Sequence, residues 1–290
     1  VHLRVPRSGR GHARDTGPPG GRDFKKALPA IKSPGERLPL TCVDDSIATA
    51  CRDVIPENDM ADATVQKIYL FKGSKYLQID GLTGQIESGP AAIGSDWTGL
   101  QDAGFDTDID ASVSVNNMLI FFKGKDYAVF DPTTKQRTMS GPISAANANP
   151  GSGNGPAFAT DLPNDANGDF TQDLDTVITY RNQLYFFKGA YCCRSTLPTA
   201  NLANCPLSFS NRSWTIASDW KLPVPYSNLG LDASAAFSPV MSDWIFFRGN
   251  SWISYQGGMS NTLESTWPGL RALRFDDQLD AVTLVPWALK

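Results

Sequence analysis

Leu184-Tyr185-Phe186-Phe187-Lys188-Gly189 is one of four closely matching stretches in this sequence. The others are Ile68-Tyr69-Leu70-Phe71-Lys72-Gly73, Leu119-Ile120-Phe121-Phe122-Lys123-Gly124 and Trp244-Ile245-Phe246-Phe247-Arg248-Gly249. Each begins with a short apolar run, of a length suited to a strand buried on both faces. The glycine supplies the positive φ that closes a short hairpin into the next strand. The Lys or Arg at the corner keeps the strand end solvated and discourages edge pairing. The strands that follow begin at Tyr76, Tyr127, Tyr191 and Trp252, and each unit opens with Asp-Ala or Asp-Thr: Asp62-Ala63, Asp110-Ala111, Asp175-Thr176 and Asp232-Ala233. These aspartates lie 48, 65 and 57 residues apart, and a fifth pair, Asp280-Ala281, follows after another 48. Units of that size built from short strands read as propeller blades. The sequence therefore predicts an all-β, four-bladed β-propeller with a central channel over residues 61–290, its blades spanning about 62–109, 110–174, 175–231 and 232–290. The fifth Asp-Ala implies that the C-terminal strand helps to close the ring.

Working outward, the second and third units carry insertions, and residues 147–167, rich in Gly, Pro, Asn and Ala, read as a long loop. Trp97, Trp220 and Trp267 come late in units one, three and four, as wedges between an outer strand and the next blade. Unit two lacks one, so its outer edge should pack differently. Ahead of the repeats, residues 1–40 form an irregular, basic tail. In it nine basic residues outnumber three acidic ones, in a chain whose net charge is −4. The tail has no amphipathic period and reads as a flexible leader. Residues 41–60 form a lead-in segment flanked by Cys42 and Cys51, which a bridge would clamp. Cys205 lies close enough in sequence to the adjacent Cys192 and Cys193 to pair with one of them, with Cys193 the candidate. Free buried thiols are the alternative. Five cysteines are too few for a disulfide scaffold, and no C-x-x-C pair points to zinc. An oxidising, secreted setting is favoured, in which Asn211-Arg212-Ser213 is a glycosylation acceptor. No apolar run reaches the ~18 residues of a membrane span.

The four units resemble hemopexin repeats, in which Asp-Ala opens the innermost strand and Tyr-Phe-Phe-Lys-Gly-x-x-Tyr spans the second and third. Gly73-x-x-Tyr76, Gly124-x-x-Tyr127 and Gly249-x-x-Trp252 keep this spacing, whereas Gly189-x-Tyr191 is one residue short, so the third hairpin departs from the pattern. Gly89-Pro90 and Gly141-Pro142 after the outer strands extend the resemblance to hemopexin-fold seed albumins and their microbial counterparts.

The only histidines are His2 and His12, both in the tail. The propeller therefore holds no His-ligated zinc, no Ser-His or Cys-His catalytic pair, and no histidine-held haem. Haem could only stack on Tyr or Trp. A four-bladed ring brings the innermost strands side by side around the channel, where main-chain oxygens suit a hard cation. The resemblance implies calcium or sodium at the Asp-Ala end, bound through the main-chain oxygens of Asp62, Asp110, Asp175 and Asp232. A second ring would be Thr64, Ser112, Val177 and Ser234. Each Asp could equally cap a local turn, and the two roles are compatible. A polyamine could use the same acidic ring.

Two acidic stretches carry less. Asp106-x-Asp108-x-Asp110 starts like an EF-hand loop but has Ala111 and Asn117 where Gly and Glu are needed. Asp165-x-Asn167-Gly168-Asp169, with Asp173, is calcium-like in composition but reads as a solvated loop.

The sequence thus points to a non-catalytic, ligand-binding propeller that recognises a small ligand, a glycan or a protein, of the lectin-like, defence or cytotoxic type. No nucleic-acid role is expected of the propeller. The alternatives are a storage or structural protein that binds polyamine or haem incidentally and, behind it, a carboxylate-based enzyme.

Overall fold

A computed structural model describes residues 67–285 apart from 82, 116–117, 135, 148–155, 181–182, 196–206, 229, 239–242 and 256–257, all within one compact unit. The tail, the lead-in, Asp62, Thr64, Cys42, Cys51 and Cys205 lie outside the described residues.

Four antiparallel four-stranded sheets make the blades. From the channel outward, blade one is Ala281–Val285, Lys67–Lys72, Lys75–Asp80 and Ile86–Ala92. Blade two is Ala111–Val115, Met118–Lys123, Asp126–Asp131 and Gln136–Pro142. Blade three is Thr176–Tyr180, Gln183–Lys188, Tyr191–Arg194 and Trp214–Thr215; blade four is Ala233–Ser238, Asp243–Arg248, Ser251–Ser254 and Ser260–Thr262. The inner strands adjoin in a closed circuit, with Ala281–Val285 seated between those of blades four and two. The first blade thus draws its inner strand from the far end of the chain, paired Phe71 with Ala281 through Lys67 with Val285.

The central hairpins repeat almost without variation. Gly73, Gly124, Gly189 and Gly249 have φ of 55–57°, a left-handed conformation that glycine adopts without strain. Their loops are bracketed by Lys72 and Lys75, Lys123 and Asp126, Lys188 and Tyr191, and Arg248 and Ser251. The third hairpin is therefore not shortened. Tyr191 sits one step earlier than its counterparts, and Cys192 takes the position of Tyr76, Tyr127 and Trp252.

Because side chains alternate along a strand, each blade feeds two separate interblade cores. Tyr69, Phe71 and Trp97 meet Leu119, Phe121 and Phe130 between blades one and two. Ile178, Tyr185, Phe187 and Trp220 meet Phe246 and Ile253 between blades three and four, and Trp267 packs with Ile68, Leu70 and Phe247 between four and one. The three tryptophans directly follow one-turn helices, Ile93–Asp96, Ile216–Asp219 and Leu263–Thr266, which carry the chain to the next blade. Between blades two and three the wedge comes from the insertion. Phe158 is fully buried, with its ring 5.2 Å from Phe122, 4.9 Å from Tyr127 and 6.0 Å from Phe186. Trp97 holds the corresponding place, 6.4 Å from Phe71, 6.2 Å from Tyr76 and 6.1 Å from Phe121. The insertion is anchored by a parallel ladder, Ala159–Thr160 against Leu207–Ser208.

A candidate cation site at the channel mouth

Each opening aspartate clasps its own blade. The N–H groups of Asp110, Asp175, Asp232 and Asp280 donate to the carbonyls of Phe122, Phe187, Phe247 and Phe71 at 2.9, 2.9, 3.1 and 3.0 Å. In return their carboxylates accept the hairpin glycine N–H: Gly124 to Asp110 and Gly189 to Asp175 at 2.6 Å, Gly73 to Asp280 at 2.5 Å, and Gly249 to Asp232. The ring position expected of Asp62 is thus held by Asp280. In the sequence Asp62 stands 11 residues before Gly73, where 14 separate opener and hairpin glycine in blades two and three and 17 in blade four.

Two residues before each opener the chain turns through positive φ at Asp108, Asp173, Gly230 and Gln278. The N–H groups of Asp108, Asp173 and Gln278 donate to Gly73, Gly124 and Gly249 of the preceding blade at 3.0, 2.8 and 3.2 Å. These turns link neighbouring blades and bring two further carboxylates to the mouth. The resulting cavity, of about 270 Å³, is lined by Asp108, Asp110, Asp173, Asp175, Asp232 and Asp280 around Ile109, Leu174 and Leu231.

Of the nearby basic residues, three lysines donate to groups outside the ring of openers and one arginine pairs with it. Lys72 Nζ donates to Asp277 (2.8 Å to O, 2.7 Å to Oδ1), Lys123 Nζ to Gly104 O at 2.9 Å, and Lys188 Nζ to Gln172 O at 2.9 Å and Asp173 O at 2.5 Å. Arg248 donates to Gly230 O and stands 3.6 Å from Asp232. The six carboxylates at the mouth outnumber the basic groups beside it, Lys72, Lys123, Lys188 and Arg248, whose charges act on the opening aspartates in the opposite sense. Burial raises the pKa of Asp110, Asp175 and Asp280, and the charges of Asp173, Asp232 and Asp108 respectively raise it further, against the glycine hydrogen bonds.

This donor set bears on the expected metal. Among the described residues no three His, Cys, Asp or Glu side chains come close enough to hold a metal ion. A tight carboxylate chelate is not built here. In the second ring Val177 lies in the core between blades two and three, and Ser112 is fully buried. Ser234 belongs to the inner strand of blade four, and the closing strand supplies Val282, packed between blades four and one, where Thr64 was expected.

Other expected features lie away from the mouth. Cys192 and Cys193 are buried free thiols facing opposite interblade cores, and burial pushes the Cys192 thiol up to about 12. Asn211 is exposed. In the acidic loop Asp165 Oδ1 accepts Asn167 N–H at 2.7 Å and Asp169 Oδ1 accepts Thr171 N–H at 3.0 Å, so both carboxylates serve local turns. Among the described residues no helix is long and apolar enough to cross a membrane.

No family model and no curated protein matches the chain. Solved structures do. A plant lectin with two metal-binding sites from Cicer arietinum aligns with a TM-score of 0.53 at 21% identity, over 71% of this chain and 92% of that one. A hemopexin-fold protein from cow pea aligns with 0.53 at 18% identity, again over 71% and 92%. A plant albumin from Cicer arietinum showing hemagglutination aligns with 0.52 at 20% identity over the same shares. Four sheets in a closed circuit, clasped by four aspartates, together with these alignments, give the chain the four-bladed hemopexin fold found in seed albumins and plant lectins.

Proposed function

We propose that this protein is a non-catalytic binding propeller that holds a cation at its channel mouth and recognises a ligand through its faces in a secreted setting. The observation that carries this reading is the mouth itself. Six carboxylates converge on one cavity, where Arg248 pairs with Asp232 and the ammonium groups of Lys123 and Lys188 donate to backbone carbonyls. An anionic site of this kind gains from any cation that offsets mutual repulsion between buried charges. Calcium or sodium suits main-chain oxygen ligands at the channel axis, and a polyamine would reach several carboxylates at once. The similar Cicer arietinum lectin has two metal-binding sites, which supports the same reading here. The absence of histidine from residues 13–290 leaves no imidazole base there for acyl transfer.

Thermal-shift titration of the metal-stripped chain with calcium, sodium and spermine, EDTA serving as the reference, tests this. A ligand at about 100 times its Kd adds about 2.7 kcal/mol of stability, a readily measured rise in melting temperature. A rise with one cation identifies the occupant; identical melts in all four conditions would remove the cation reading.

A further inference from the structure

At the end of the inner strands away from the opening aspartates, the second and third strands of every blade meet in one cross-strand pair. The pairs are Ile68 with Ile79, Leu119 with Phe130, Leu184 with Ser195, and Trp244 with Tyr255. In the first three blades all six side chains are buried. In the fourth, Trp244 and Tyr255 are only half-buried, as is Tyr180 at the end of blade three's inner strand. Tyr180 lies 5.0 Å from Trp244, 6.1 Å from Tyr255 and 6.1 Å from Tyr185, ring centre to ring centre. Trp220 backs the group at 5.2 Å from Tyr180 and 4.9 Å from Tyr255, and Trp244 Nε1 donates to Thr179 O at 3.0 Å, which fixes the indole. Since three blades close this position with buried side chains, packing does not demand partly exposed rings here.

The aromatic group runs on into a basic edge. Tyr185 Oη accepts from Arg194 Nη1 at 3.3 Å, and the guanidinium groups of Arg194 and Arg212 lie 5.0 and 5.9 Å from the Trp214 ring centre. Among the described residues neither arginine makes an ion pair. Asp219 is near enough to act on Arg194 through space, so an incoming anion competes with it. Rigid Tyr and Trp rings offer flat contact area at low entropic cost, and arginine forks favour carboxylates.

We infer that this edge of blades three and four binds pyranosides that carry a carboxylate, the sugar face lying on Trp244, Tyr180 and Tyr255 and the acid directed to Arg194 and Arg212. This gives a ligand class to the recognition role proposed above, and it does not involve the mouth. The test is ligand-observed NMR on the full chain with methyl glucuronide and methyl glucoside. The glucuronide should show saturable binding, with the glucoside about tenfold weaker or worse. Trp244→Leu copies Leu119 of blade two and should keep the fold while weakening glucuronide binding about tenfold or more. Arg194→Gln should abolish the preference between the two sugars. No saturable glucuronide signal, equal binding of both sugars by the native chain, or full binding by Trp244→Leu overturns the inference. Glucuronide binding should be the same in calcium and in EDTA, so failure of the cation reading does not carry this one with it.

Discussion

Replacing Phe158 with alanine probes whether the insertion in the second unit is a surface loop or part of the core. The ring is fully buried and stands 4.9–6.0 Å from Phe122, Tyr127 and Phe186, in the place that Trp97 fills between blades one and two. Truncating a buried phenylalanine costs about 3–5 kcal/mol, combining lost transfer energy with the cavity left behind. The neighbours here are themselves large rings on paired strands, which resist collapse into the gap, so the upper half of that range is expected. For a domain of this size each kcal/mol moves the melting temperature by about 2–4 °C, which places the variant roughly 8–20 °C below the native chain. Calorimetry and guanidinium melts, with Val224→Ala as the control, measure it; Val224 is 69% exposed, and its truncation should stay within about 0.5 kcal/mol. A loss below about 1 kcal/mol for Phe158→Ala would mean that the insertion does not wedge the blades.

Three further outcomes follow from the same geometry. A Cβ on Gly99 would stand 2.8 Å from Phe130 Cε1 and 2.9 Å from Arg137 N, so Gly99→Ala should cost about 1–3 kcal/mol in a denaturant melt. Deleting residues 281–290 removes the inner strand of blade one; Val282 alone contributes about 1.5–3 kcal/mol, and an unchanged melting temperature would show that this strand does not close the ring. Burial keeps Asp110, Asp175 and Asp280 protonated above their ordinary value of 3.8. The folded chain then binds protons that the unfolded chain has released, and stability falls as pH rises through that window. Asp175→Asn retains an acceptor for Gly189 N–H and removes the charge, so in cation-free buffer it should melt above the native chain at pH 7, with the gap closing as pH approaches 3.8.

The blade repeat was readable because each of its parts has a local cause: an apolar run long enough for a buried strand, a glycine for the hairpin, and an aspartate ahead of them. What escaped reading depended on geometry across the ring. The third hairpin looks short in the sequence because Tyr191 aligns by type with Tyr76, yet strand register gives that position to Cys192, a smaller side chain that still buries fully. Phe158 had no motif around it, because a single aromatic in a Gly- and Pro-rich stretch reads as loop until its partners are known. At the mouth, Asp110, Asp175 and Asp232 stand out in the repeat, and the fourth clasp among the described residues is made by Asp280. The fifth Asp-Ala pair at Asp280-Ala281 was the signal in the sequence for that residue. Asp108 and Asp173 stood out in the sequence only within two calcium-like stretches, not as members of the ring. They reach the mouth only because the turn before each opener bends through positive φ.

Isothermal titration of calcium into the metal-stripped chain, run beside Asp110→Asn and Asp175→Asn, tests the cation site most directly. Each variant keeps an acceptor for its hairpin glycine and loses only its charge. The account predicts saturable binding by the native chain, weakened in both variants while their folds and hairpin clasps persist. Equal calcium binding by all three proteins, or none by the native chain with sodium and spermine equally silent, would reduce the ring of aspartates to four backbone clasps.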